Sequence, residues 1–192
     1  ERMWFIQNLI PESTQYNIAS AVTIKGGLNV TAIQIAITTI SQRHEVLRTR
    51  FPDEQGIAVQ VIDPEARVTV EQFDIGCYDI ERQSDEVRLR IQQDQNTVFN
   101  LAEGPLFKCT VLQLTDNHHV LMLTIHHIIA DGWSSQVMLK ELMAVYLAEQ
   151  ESRAVRLPHL SVQYADYAIW QRDYEQSEKY GADLGYWQSQ LQ

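Results

Sequence analysis

Apolar residues recur along this chain with two different periods, and the switches between them mark its elements. In "AVTIKG", residues 21–26, apolar and polar positions alternate up to Gly26-Gly27, which predicts a short strand. Asn29 is suited to cap the next segment, in which Ile33, Ile37, Ile40 and His44 fall at helical spacing. This helix is rich in β-branched residues, so tertiary packing must hold it. "IAVQVI" (57–62) and "VTVEQF" (68–73) alternate again, with a break at Asp63-Pro64. Residues 79–99 are polar except for a stripe of Val87, Ile91, Val98 and Phe99, which predicts a surface helix closed by Gly104-Pro105.

The second half is more apolar. Residues 106–116 and 118–128 read as two strands joined at Asp116-Asn117, a hairpin. A helix is predicted from Asp131 to Gln150, with Val137, Leu139, Leu142, Met143 and Tyr146 on its apolar side. Pro158 separates it from another helical pattern, "SVQYADYAIWQRDY". Helices alternate with strands that include a hairpin, so the expected fold is α/β: a two-layer sandwich of a mixed β-sheet with packed helices.

A chain of 192 residues is long enough for one domain, or one lobe of a larger one, burying about 70% of its unfolded surface. The formal net charge of −10 argues against a phosphate-binding surface, and no nucleic-acid partner is expected. No apolar run approaches the ~20 residues that span a bilayer, so no membrane partner is expected either. Cys77 and Cys109 lie far apart and form no CxxC pair, which fits a reduced, cytoplasmic setting. The chain begins mid-pattern without Met, which suggests a longer parent polypeptide.

Four histidines crowd the second hairpin strand: His118, His119, His126 and His127. Side chains on a strand alternate faces, so His126 and His127 point apart, while His119 and His127 share a face roughly 26 Å apart. Neither pair chelates one ion unaided, and no metal is expected. His118 and His119 flank the turn and are expected in solvent. His126 and His127 end a strand that is apolar on both faces. Desolvation there favours a neutral imidazole, able to accept a proton or orient a nucleophile. Asp131-Gly132 comes next, where a helix begins: Gly132 allows close backbone approach, and the helix terminus offers free N–H groups. Asp131 has two compatible readings, as helix cap or as partner of an arginine. No G-x-S-x-G elbow supports a serine triad.

"HHIIADG", His126 to Gly132, resembles the HHxxxDG motif of condensation domains in nonribosomal peptide synthetases. Three more stretches resemble that family's motifs in the same order: "ERMWFI" (1–6), "RHEVLRTRF" (43–51) and "YADYAIW" (164–170). The resemblance covers the whole chain but about half of the family's domain. It implies a chloramphenicol acetyltransferase-like N-terminal lobe over residues 1–175, with residues 176–192 starting the connection to a missing C-terminal lobe. The active site would lie in a tunnel between the lobes. The two histidines disfavour a heterocyclization domain, and Trp133-Ser134-Ser135 suggests a bond-forming rather than an epimerization domain.

The resemblance also implies roles. His127 would be catalytic and His126 mainly structural. Asp131 would brace the loop with Arg48, or else Arg43, and Gly132 would offer backbone near the reacting centre. The expected reaction joins a carrier-bound acyl or peptidyl thioester to the α-amino group of a carrier-bound acceptor. No cofactor binds the chain directly; phosphopantetheine arrives on upstream and downstream peptidyl carrier proteins, with an adenylation domain adjacent. Two other readings stay open: a coenzyme A-dependent acyltransferase, or an isolated lobe that only docks carriers. The aromatic residues of the last 30 positions fit a surface covered by the missing lobe better than an ordinary core.

Overall fold

Four strands make the central sheet of the computed structural model, which describes residues 2–65 and 67–191. In chain order the elements are helix α1 (Arg2–Leu9), strand β1 (Asn17–Lys25), helix α2 (Val30–Arg43) and a 3-10 turn at Glu45–Arg48. Four two-residue strands follow: β2 (Thr49–Arg50), β3 (Asp53–Glu54), β4 (Ile57–Ala58) and β5 (Val61–Ile62). Then come β6 (Val70–Asp74), α3 (Ile80–Gln95), β7 (Phe107–Thr115), β8 (His118–His126), α4 (Gly132–Gln150), α5 (Tyr164–Glu175) and α6 (Glu178–Gln190). Glu1, which opens the first quoted motif, lies outside the described residues.

The sheet order is β1-β8-β7-β6. β8 pairs antiparallel with β1 and β7, whereas β6 and β7 are parallel. A parallel pair needs a crossover, and α3 supplies it. The sheet is therefore mixed, as the alternating pattern predicts. Its two faces bury different sets. Leu121, Leu123 and Ile125 of β8 join Ile33, Ile37 and Ile40 of α2 and Met138, Leu142 and Val145 of α4 in the main core. Val120 and Met122 face the other way, onto a smaller cluster with Leu112, Leu114 and the α3 residues Val87 and Ile91. α3 packs on that second face. The sequence does not carry this, because the side on which a crossover helix lands depends on the handedness of the connection.

Local differences have local causes. α2 is capped as predicted, with the Asn29 side chain accepting from the Ala32 N–H at 3.0 Å. β1 starts at Asn17, four residues before the expected strand, because it follows β8 along its whole length. α3 stops at Gln95; beyond it, Phe99 enters the main core while Val98 stays exposed. The residues read as one strand over 57–62 divide into β4, which folds back on β3, and β5, which pairs β2. On α4 the buried apolar positions are Met138, Leu142, Val145 and Ala148, while Val137 and Met143 lie outside. Apolar residues surround this helix, so periodicity alone cannot select its inner face.

The chain forms two compact units, Glu1–Leu157 and Pro158–Gln192. The second holds α5 and α6, neither of which contains a buried residue. Tyr164, Tyr167, Trp170 and Tyr174 run along α5 as a ladder of neighbouring rings 5.6–5.9 Å apart, and Tyr180 of α6 meets Tyr174 edge-on. No helix among the described residues is long and apolar enough to cross a membrane.

Candidate active site

β8 is buried on both faces from His119 to His126 because sheet neighbours flank it and helices cover it. The ladder holds to its last step: the His126 N–H donates to the Leu106 carbonyl at 2.9 Å, and the His127 N–H donates to the Tyr16 carbonyl at 2.7 Å. The strand then turns. The Ile129 N–H donates back to the His126 carbonyl at 3.1 Å, closing a four-residue turn with His127 and Ile128 at its corner.

The two imidazoles therefore meet different surroundings. His126 is 1% exposed. Its Nδ1 accepts the Ile128 N–H at 3.1 Å, and its Nε2 lies 3.4 Å from the Gln7 Oε1. The ring sits among Tyr16 and Phe99, with centroids 6.2 and 6.3 Å away. Burial, reinforced by the neighbouring His127, pulls its pKa down to about 4, so it is neutral at neutral pH. His127, at the turn's corner, is only half-buried.

The Asp131 carboxylate accepts the Ser134 N–H at 2.8 Å, and the Ser134 Oγ accepts the Asp131 N–H at 2.7 Å, a reciprocal capping box. The Ser134 hydroxyl and N–H hold the Asp131 carboxyl below its ordinary pKa, with a smaller contribution from His127. Of the two readings of Asp131, cap and arginine partner, the structure forms the first. Arg48 is elsewhere: it donates to the Asp63 carbonyl and stands 3.6 Å from Glu45. The expected Arg48–Asp131 pairing is not formed, because each group finds a partner close in its own chain segment. Arg43 and His44 both reach Glu141, at 3.1 and 2.7 Å, and tie the end of α2 to α4. Gly132 opens α4 with nothing within 4 Å of the position a Cβ would take, and Trp133 beside it is 79% exposed. The structure thus gathers His126, His127, Asp131 and Gly132 within one strand-turn-helix segment and sets Arg48 apart.

Two expectations about the remaining chemistry change or sharpen. His119 is not in solvent but 3% exposed, with its Nδ1 unpartnered among the described residues. The hairpin turn is only two residues long, so His119 already belongs to the strand face of Leu121 and Leu123. Burial, and secondarily Asp94, pushes the Cys109 thiol up to about 12, which keeps it protonated and unreactive. Gln7, Tyr16 and Phe99, which enclose His126, carry no sequence signal of that role. They come from three separate segments, each far from His126 along the chain.

Comparison with known proteins gives a consistent result. The family model described as Condensation domain matches residues 1–192. The chain is 40% identical over 192 residues to a subunit of the linear gramicidin synthase of Brevibacillus parabrevis, covering all of this chain and 4% of that protein. It is 36% identical over 194 residues to cyclosporin synthetase simA of Tolypocladium inflatum, covering 99% of this chain and 1% of that one. The starter condensation domain of the rhizomide synthetase RzmA superimposes with a TM-score of 0.87 at 22% identity, over 98% of this chain and 47% of that chain. The chain thus spans a small part of the synthetases it matches and about half of the solved domain. The mixed sheet with packed helices is the fold of that solved domain.

Proposed function

This chain belongs to the condensation-domain family, and from that premise we propose that it forms one lobe of a domain that makes peptide bonds in nonribosomal peptide synthesis. On this reading residues 1–175 are the N-terminal lobe, residues 176–192 begin the connection to a second lobe, and the aromatic face of α5 and α6 is covered when that lobe is present. The share of each solved domain that the chain spans supports it. The donor is an acyl or peptidyl thioester and the acceptor an α-amino group, each brought by a peptidyl carrier protein. An adenylation domain lies alongside, and the setting is the cytoplasm.

The observation that carries the assignment of the site is the contrast between the paired histidines: His126 is sealed and fully engaged, and His127 alone is open to an incoming group. Phosphopantetheine on the carriers supplies the acyl group in activated thioester form. Half-exposed His127, open Gly132 and exposed Trp133 fit the approach of such an arm, since no side chain at Gly132 obstructs it. An α-amino group has a pKa near 7.7–8.0, so about a tenth is already unprotonated at neutral pH. A strong base is not required before attack. The amine nitrogen adds to the thioester carbonyl, the carbon–sulfur bond breaks, and the sulfur leaves as the carrier's thiol, taking up the amine proton by way of His127. His127 holds the amine in line and takes the proton released as the nitrogen–carbon bond forms; positioning is the larger part. Asp131 acts by capping α4 and fixing the turn that presents His127. Gly132 gives the reacting groups backbone without a side chain.

The test is His127→Ala in the complete synthetase with both carriers loaded. Bond formation falls by at least about 100-fold, while the unfolding midpoint stays near that of the parent. Condensation at a near-normal rate would end this reading.

A further inference from the structure

Gln7, in the first helix and 4% exposed, has a side-chain amide whose orientation is fixed. Its Nε2 donates to the Pro11 carbonyl at 2.9 Å and to the Ser13 carbonyl at 3.1 Å. With both amide protons engaged, the Oε1 must be the end that faces His126, and an oxygen there can only accept. The nearest His126 atom is Nε2, at 3.4 Å, so that nitrogen must carry the ring proton. A second contact, on the opposite side of the ring, imposes the same choice: Nδ1 accepts the Ile128 N–H and must keep its lone pair. In the other tautomer two oppositions arise together, lone pair against the Gln7 oxygen and N–H against N–H at Ile128. The Gln7 contact is buried and the Ile128 contact partly buried, and an unmatched polar group is costly in such surroundings.

The consequence reaches the neighbouring residue. The bond from Ile128 N–H to His126 Nδ1 lies within the turn that has His127 at its corner, alongside the Ile129 N–H bond to the His126 carbonyl. The ring of His126 therefore staples the turn from inside, and the staple works only in the tautomer that Gln7 selects.

We propose that Gln7 is a positioning residue, which locks His126 in the Nε2–H tautomer and through it sets the turn that presents His127 to the substrates. The chain of contacts runs from the α1–β1 connection (Pro11, Ser13), through the Gln7 amide and the His126 ring, to the Ile128 N–H. Gln7 and His126 are both buried, so they act through the turn. This rests on the reading that His127 is the residue used in bond formation.

The experiment uses the complete domain, selectively labelled with nitrogen-15 histidine, in its parent form and as Gln7→Met and Gln7→Glu. The His126 signals are identified by their loss in His126→Gln. In the parent protein at neutral pH, Nε2 gives a protonated-type and Nδ1 an unprotonated-type nitrogen signal. Gln7→Met, which offers no acceptor, leaves only the Ile128 contact to hold the tautomer and raises the share of the Nδ1–H form. It lowers kcat by up to about 100-fold, the scale expected for a small misplacement of a catalytic group, and leaves KM for the loaded carriers unchanged. Gln7→Glu keeps an acceptor facing Nε2 and so retains the proton there, but it sets its second oxygen against the Pro11 and Ser13 carbonyls and recovers only part of kcat. The proposal is overturned if Gln7→Met keeps the parent tautomer while folded, or if the tautomer changes and kcat does not. If His127→Ala condenses normally, the assignment of His127 fails, and the nitrogen signals still report on the Gln7 lock by themselves.

Discussion

The body of β8 and the turn that leaves it are adjoining stretches of one chain, built under opposite requirements. From Val120 to Ile125 every side chain is buried, and the two faces serve two cores. From His127 to Trp133 every residue except Ile129 is half or fully exposed, and the backbone is held by a few bonds: Tyr16 to His127, His126 to Ile129, and the Asp131–Ser134 box. The strand contributes stability and rigidity. The turn contributes access. His126 is the hinge between these regimes: it is buried like the strand, but its Nδ1 bonds into the turn at Ile128. On the proposed reading, His127 can be exposed and still well placed because His126 beside it is neither exposed nor free.

This contrast can be broken from either side. The largest change in stability is expected inside the strand. Leu123→Ala removes a side chain from the main core and lowers unfolding free energy by about 2–5 kcal/mol, measured by urea titration. A value under about 1 kcal/mol would mean that the strand is not the rigid partner. Next comes the hinge. The folded protein holds His126 neutral down to about pH 4, whereas the unfolded chain takes up a proton near pH 6.5. Stability from this group is therefore intact above pH 6.5 and is lost progressively as pH falls towards 4, by on the order of 3 kcal/mol in all. Urea midpoints across this window should slope more steeply for the parent than for His126→Gln; equal slopes would refute the assignment.

The turn itself should matter less to folding. Asp131→Ala removes the cap of α4 and lowers the thermal midpoint by roughly 2–4 °C, and Asp131→Asn recovers most of it. Were Asp131 instead half of an ion pair, Asn would fail to rescue, which sharpens the distinction between capping and bracing. The smallest effect is expected on the second face of the sheet. The Thr124 hydroxyl is buried and unpartnered among the described residues, so Thr124→Val removes a polar group of nearly the same shape. Stability should rise by up to about 1 kcal/mol, read from the thermal midpoint. A marked loss would show that the hydroxyl is engaged.

Much of the site was legible because it is local. His126, His127, Asp131 and Gly132 fall within one short stretch, where the strand period and the capping preference of Asp act at close range, so sequence sets their neighbourhood. Arg48 shows where that ends. A carboxylate and an arginine so distant along the chain cannot be paired by inspection, and here each bonds nearby: Asp131 to Ser134, Arg48 to Asp63 and Glu45. His119 shows the same for burial. Its position beside a turn suggested solvent, but a two-residue turn places it within the ladder. Gln7 is the clearest omission, because its significance lies in a contact across 119 residues with no local signature.

By itself the sequence determined the order and type of the main elements, the hairpin of β7 and β8, the cap of α4 and the family resemblance through its motifs. These depend on side-chain period, on caps and on short spacings, all set by residues within a few turns of one another. Tertiary structure alone decided which side of the sheet α3 covers, which face of α4 is buried, where Asp131 finds its partner, and which of two adjacent imidazoles is sealed. Each of those outcomes is a competition among groups distant in sequence, settled by what folding brings within hydrogen-bonding or packing distance.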